Sequence, residues 1–104
     1  MEDRLRGMLG LAMRAGKVVI GTEIVCKSLG KTGRVKLVLV AADASPSTKK
    51  KLRTKCEFYG VAVTESPLDT GETGRLLGKT YGPAAVAIID EGFAREIAKC
   101  TAQN

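Results

Sequence analysis

The residues with the most chemical potential lie in one run, Arg14-Ala15-Gly16-Lys17-Val18-Val19-Ile20-Gly21-Thr22-Glu23-Ile24-Val25-Cys26-Lys27. A short strand leads into a glycine turn, and the turn into the first residues of a helix. The leading N–H groups of a helix lack intrahelical acceptors and carry partial positive charge, so a turn with Lys17 and Lys27 beside it favours an anionic partner. The run itself leaves open a nucleotide, a phosphorylated metabolite or RNA. It is neither GxGxxG nor a Walker A sequence, so the fingerprint of a nucleotide cofactor is missing.

Other chemistry finds little footing. The chain has no histidine, the usual carrier of general acid–base catalysis near neutral pH. Asp43, at the end of an apolar run, reads either as a turn-forming aspartate or as a phosphoacceptor. The second role needs an acidic pair at another strand end, and none is visible. Cys26, Cys56 and Cys100 are widely spaced, with no CxxC pair. Three scattered thiols without histidine fall short of a zinc site. They are expected to be free thiols in a reducing compartment. No catalytic residue, metal site or cofactor is therefore expected.

The chain has 104 residues, a hydrophobic fraction of 44% and a formal charge of +6. That is room for one domain, residues 1–104, with one real core. A basic excess on so small a domain points to a polyanion, nucleic acid or an acidic membrane surface. No apolar run reaches the roughly eighteen residues of a membrane span. The start, Met1-Glu2-Asp3-Arg4, does not resemble a secretory signal. A cytoplasmic protein with no membrane partner is the expectation.

Two basic groupings stand out. Lys49, Lys50, Lys51, Arg53 and Lys55 read as a solvated helix face or as a phosphate-neutralising one. Glu23, Lys27 and Lys31 recur every four residues and would share a helix face. They form either an intrahelical Glu-to-Lys series, worth about 0.2–0.5 kcal/mol per pair, or a surface where Lys27 meets phosphate and Glu23 accepts from a base. Phe58, Tyr59, Tyr81 and Phe93 are the aromatic residues, and none falls on a predicted strand. Base stacking on a sheet surface is thus excluded, and a nucleic-acid reading must use a helix N-terminus and loops.

The elements that position these residues alternate. Leu5, Met8, Leu9 and Ala12 predict a first helix stopped by Gly16. Lys17 to Ile20 predicts a strand, and a second helix follows Gly21-Thr22 and fades across residues 30 to 33. Val35 to Ala41 reads as a strand buried on both faces. Ser45 and Pro46 suit the cap and first position of a third helix, with Leu52, Cys56 and Tyr59 inward and Gly60 at its end. Val61 to Val63 predicts a strand. Glu65 to Gly74 predicts a mobile loop of about ten residues, longer than most connections. Arg75 to Thr80 predicts a short helix, Ala84 to Ile89 a buried strand, and Asp90 caps a last helix facing inward through Phe93, Ile97 and Cys100. The fold class is α/β, a single-domain three-layer α/β/α sandwich around a small mixed sheet.

Ala15-Gly16-Lys17, Gly21-Thr22-Glu23, Lys27 and Val35 to Ala44, followed in order by Lys55-Cys56, Leu77-Gly78-Lys79, Gly82 and Val86 to Ile89, resemble one family. It is the kink-turn RNA-binding ribosomal protein family, the "L-seven-Ae" group, and within it the small bacterial YlxQ-like branch. The resemblance runs from about Leu9 to Ile97. It implies a non-enzymatic α/β/α domain that binds kink-turn RNA, an internal loop with sheared G·A pairs and a sharp bend. By position it implies that Gly21 and Thr22 bring backbone close to RNA and that Lys27 contacts backbone or a base edge. Glu23 stands where members often carry asparagine or lysine, and Ile24 where they often carry glutamate or glutamine. Both departures remove polar groups that the family uses on G·A pairs. A second contact is implied before the last strand, which this reading assigns to Glu65–Gly74.

The expected function is thus recognition of folded, kink-turn-like RNA, associated with the ribosome or translation, by a monomer. The alternative is a ribosome- or factor-associated protein of the same fold that binds proteins, or RNA only non-specifically. The candidate RNA-binding residues are Lys17, Gly21, Thr22, Glu23, Lys27, Lys31 and Leu68. Leu68 enters as the apolar side chain of the long loop placed to pack on an unstacked base.

Overall fold

A computed structural model describes residues 2–31 and 33–101; Met1, Thr32 and residues 102–104, and with Thr32 part of the predicted fading of the second helix, lie outside the described residues. Five helices and four strands alternate: α1 (Glu2–Arg14), β1 (Val18–Ile20), α2 (Thr22–Leu29), β2 (Leu37–Val40), α3 (Pro46–Tyr59), β3 (Ala62–Glu65), α4 (Thr70–Leu76), β4 (Ala85–Ile88) and α5 (Glu91–Thr101). The sheet order is β1-β4-β2-β3. β4 runs antiparallel to both β1 and β2, and β2 runs parallel to β3. The three-layer α/β/α sandwich on a mixed sheet is the architecture the sequence implies.

Alternation along the central strands sorts the core into two halves. Leu37 and Leu39 of β2, with Val86 and Ile88 of β4, meet Leu5 and Leu9 of α1, Leu77, and Ala94, Ile97 and Cys100 of α5. Val38, Val40, Ala85 and Ala87 point the other way, onto Val25 and Leu29 of α2 and Leu52 and Cys56 of α3. α2 and α3 therefore form one outer layer, and α1 and α5 belong to the other.

Because β1, β2 and β3 end where β4 begins, the sheet has two distinct poles. Ile20 pairs with Val86, Val40 with Ala85, and Val40 with Glu65. The exits of the first three strands and the entry to β4 thus gather at one pole, called here the glycine pole after Gly21. The segments 15–17, 30–31, 33–36, 60–61 and 89–90 gather at the opposite pole.

Helix boundaries mostly follow local chemistry. The Ser45 hydroxyl accepts from the Thr48 N–H at 3.2 Å with Pro46 at the first helical position, and Gly60 closes α3 with φ 69°. The Asp90 carboxylate accepts from the Phe93 N–H at 2.9 Å at the start of α5.

Three expectations are corrected. The stretch Glu65–Gly74 is not one long loop: Glu65 ends β3, and α4 already occupies Thr70–Leu76, so the predicted helix at Arg75–Thr80 lies too late. The cause is a capping box, in which Asp69 accepts from the Glu72 N–H at 2.7 Å and Glu72 accepts from the Asp69 N–H at 3.1 Å. This reciprocal satisfaction of two orphan donors starts a helix in a sequence poor in helix formers. Tyr59 is not part of the inner stripe of α3; it is 44% exposed. The apolar run Val35 to Ala41 yields a shorter strand, Leu37–Val40.

Candidate nucleic-acid interface

The glycine pole is built outward from Gly21. Its N–H donates to the Ala85 carbonyl at 2.9 Å, and its carbonyl accepts from Val25, opening α2. Its φ of 108° and ψ of 139° lie where only glycine sits without strain, and nothing approaches within 4 Å of where a Cβ would stand. No side chain caps α2. The amides of Thr22, Glu23 and Ile24 precede the first i→i−4 bond of the helix and keep their partial positive charge for an outside acceptor.

Around this turn stand the other strand exits. The Ala41 N–H bonds the Ala84 carbonyl, the Ser66 N–H bonds the Val40 carbonyl, and the Ala42 N–H bonds the Leu68 carbonyl. Asp43 accepts from the Thr70 N–H at 2.8 Å and from the Thr70 hydroxyl at 3.0 Å, fastening the β2–α3 turn to the start of α4. The Thr70 amide is the main reason its carboxyl titrates below the ordinary 3.8. Asp43 is thus the turn-forming aspartate of the two alternatives. Among the described residues no cluster of histidine, cysteine and acidic side chains could hold a metal ion.

Charge at this pole is mixed. Lys49 donates to Glu65 at 3.3 Å and to the Ala42 carbonyl at 3.1 Å, and Arg53 lies 3.5 Å from Glu65. Two of the five cations of α3 are therefore tied down by one carboxylate. Glu23 and Lys27 are both exposed, and among the described residues no hydrogen bond or ion pair joins them. The intrahelical pairing is thus absent, and the Lys27 ammonium is free for another partner.

Of the candidate residues, the turn brings together Gly21, Thr22, Glu23 and Lys27, and it does not bring in the other three. Lys17 precedes β1 and stands at the opposite pole, about 13 Å of strand away, where its carbonyl accepts from Ile89. Lys31 is not on the α2 face with Glu23 and Lys27. α2 ends at Leu29, and Lys31 lies in the turn that follows, its N–H bonded to the Ser28 carbonyl. Leu68 is 0% exposed and packs in the core with Leu9, Leu39 and Leu77. It anchors the connection from β3 to α4 and presents no surface for a base.

Two exposed side chains stand outside the candidate set, Ile24, noted in the sequence as a departure, and Tyr81, 56% and 54% exposed. Ile24 lies in the first turn of α2. Tyr81 lies in the connection of residues 77–84 between α4 and β4, the segment that directly precedes β4. That connection is pressed onto α4: a Cβ on Gly74 would collide with the Tyr81 carbonyl oxygen, and one on Gly82 would lie 2.8 Å from the Thr70 Cβ.

The chain is a compact α/β/α module with an open, uncapped glycine turn at the shared exits of its strands. The chain belongs to the ribosomal protein L7Ae/L30e/S12e/Gadd45 family, which matches residues 3–98. It is 42% identical over 93 residues to the RNA-binding protein YlxQ of Bacillus subtilis, covering 86% of this chain and 87% of that protein. It is 33% identical to the large ribosomal subunit protein eL30 of Sulfolobus acidocaldarius, covering 91% and 90%. A solved structure of a Bacillus halodurans protein of unknown function superposes with a TM-score of 0.88 at 34% identity, covering 96% of this chain and 98% of that one. The family is one of ribosomal proteins and not of enzymes. No helix among the described residues is long and apolar enough to cross a membrane.

Proposed function

We propose that residues 1–104 act as one RNA-binding domain of the cytoplasm, recognising folded RNA of kink-turn type at the glycine pole in association with the ribosome or translation. The observation that carries this reading is the Gly21 turn. It offers unbonded helical amides and an unobstructed backbone, in a chain related to proteins named for RNA binding and for the large ribosomal subunit. Thr22 and the α2 amides would meet phosphate and sugar, Lys27 would neutralise a phosphate one turn further on, and Glu23 would accept from a base amino group. No cofactor enters this scheme, and the monomer is its working unit.

A second reading draws on Ile24. An exposed isoleucine and a carboxylate at Glu23 suit a protein surface, or RNA bound by shape alone, better than polar readout of G·A pairs. A gel shift with a kink-turn RNA, beside a variant lacking its G·A pairs, separates the two: strong discrimination supports the first reading, equal binding the second. Lys27→Ala should weaken kink-turn binding by on the order of 1 kcal/mol and flatten the slope of log K against log salt by roughly 0.7–0.9. An unchanged slope would remove Lys27 from the interface.

A further inference from the structure

The pole opposite Gly21 carries a surface that the kink-turn reading does not use. Phe58, at the end of α3, is 80% exposed, the most exposed large hydrophobic side chain described. Its ring meets that of Tyr59 edge-to-face, with centroids 4.9 Å apart and planes at 90°. This contact holds the rings against each other without burying Phe58. Tyr59 reaches across to the end of α2, where a Cβ on Gly30 would lie 3.8 Å from its hydroxyl.

The turn that begins at Gly30 brings in Lys31, Arg34 and Lys36, all exposed. The Lys31 N–H bonds the Ser28 carbonyl and the Arg34 N–H bonds the Lys31 carbonyl. Lys55 lies one turn before Tyr59 on α3. Among the described residues none of these four cations has a carboxylate partner, whereas Lys49 and Arg53 nearer the glycine pole are paired with Glu65. Unpaired cations therefore stand at the pole of the exposed rings as well as at Lys27, Lys50 and Lys51 toward Gly21.

We propose that Phe58 and Tyr59, with Lys31, Arg34, Lys36 and Lys55, form a second RNA contact that takes a single-stranded segment. Aromatic faces stack unpaired bases of any sequence, and unpaired cations track the phosphates between them. The occupant is single-stranded because a stacked duplex offers no free base face to an exposed ring. The two poles are separated by the length of α3, about 20 Å, a span that a few unpaired nucleotides flanking a folded element can cover. The proposal rests on the reading of this chain as an RNA-binding protein, but not on kink-turn specificity.

The test uses the full chain and a labelled decauridine in anisotropy titrations across a salt series. Phe58→Ala should weaken decauridine binding about tenfold with an unchanged salt slope and an unchanged melting temperature, since stacking is lost and no phosphate contact. Lys31→Gln combined with Arg34→Gln should instead flatten the slope by roughly 0.7 for each phosphate contact removed. Neither change should alter binding of a kink-turn hairpin trimmed of flanking nucleotides. No binding of decauridine by the wild type, or equal binding by Phe58→Ala, overturns the proposal. Loss of the kink-turn hairpin alone, with decauridine binding and its Phe58 dependence intact, overturns only the reading of the glycine pole.

Discussion

At Gly21 the chain accepts a backbone geometry that costs any other residue free energy. With φ at 108° and open space where a Cβ would stand, a substitution acts through strain and not through collision. Gly21→Val should therefore lower stability by about 1–3 kcal/mol and abolish RNA binding by more than that loss explains, because the side chain also covers the free α2 amides. Thermal unfolding beside a gel shift measures both, and normal binding at an unchanged melting temperature would place the contact elsewhere. The turn was legible from the order of a β-branched run, glycine and a helical stripe. Placement of the flanking lysines was not. Sequence neighbours are not spatial neighbours across a strand, so β1 carries Lys17 to the far pole, and the end of α2 at Leu29 strands Lys31 there as well. Leu68 misled for a related reason: an apolar residue inside a polar stretch is as often an anchor as a contact.

Elements whose ends carry local chemistry were readable in advance, as with Ser45-Pro46 before α3 and Asp90 before α5. α4 was not, because Thr70-Gly71-Glu72-Thr73-Gly74-Arg75-Leu76 has two glycines and two threonines, residues with low helix propensity. What holds it is long-range: the Asp43 carboxylate on Thr70, the Glu72–Arg6 pair at 2.7 Å, and the Tyr81-Gly82 segment against Gly74 and Thr70. Asp69 followed three residues later by Glu72 was the overlooked signal. Asp43 has its pKa lowered in the fold, so its contribution is present above the unfolded value and fades as pH falls through the folded one. Amide protection of residues 70–76, measured against the intrinsic exchange rate at each pH, should thus be high at neutral pH without RNA and should fall below about pH 4. Asp43→Asn should show the lower protection already at neutral pH, with little further change in acid. Rapid exchange of the wild type at pH 7 would mean that the tether does not hold.

On the scale of the molecule, the core half beneath α2 and α3 carries a response to alkali. Cys56 is buried between α3 and the sheet, and burial, with Cys26 adding to it, pushes its thiol up to about 11 from the ordinary 9.0. The fold therefore favours the protonated thiol. That stability is fully present below about pH 9 and is lost as pH rises toward 11, where the unfolded chain ionises first. Denaturant titrations of wild type and Cys56→Ala should diverge below pH 9 and converge above it. Native alkylation at pH 8 should spare Cys56 and label it only after unfolding. The sheet order has a different implication, for the history of the chain. β4, the fourth of the described strands, lies between β1 and β2 and is, among the described residues, the strand that pairs with β1. Until residues 85–88 exist, β1 lacks the strand it pairs with among the described residues, and the inward leucines of α1 and β2 lack the middle of their layer. The amino-terminal half thus emerges from synthesis with its apolar faces uncovered, and the domain closes in a single late step that depends on contacts distant in sequence. A nascent chain halted before Ala85 would remain a client for chaperones, and one extended through α5 would not.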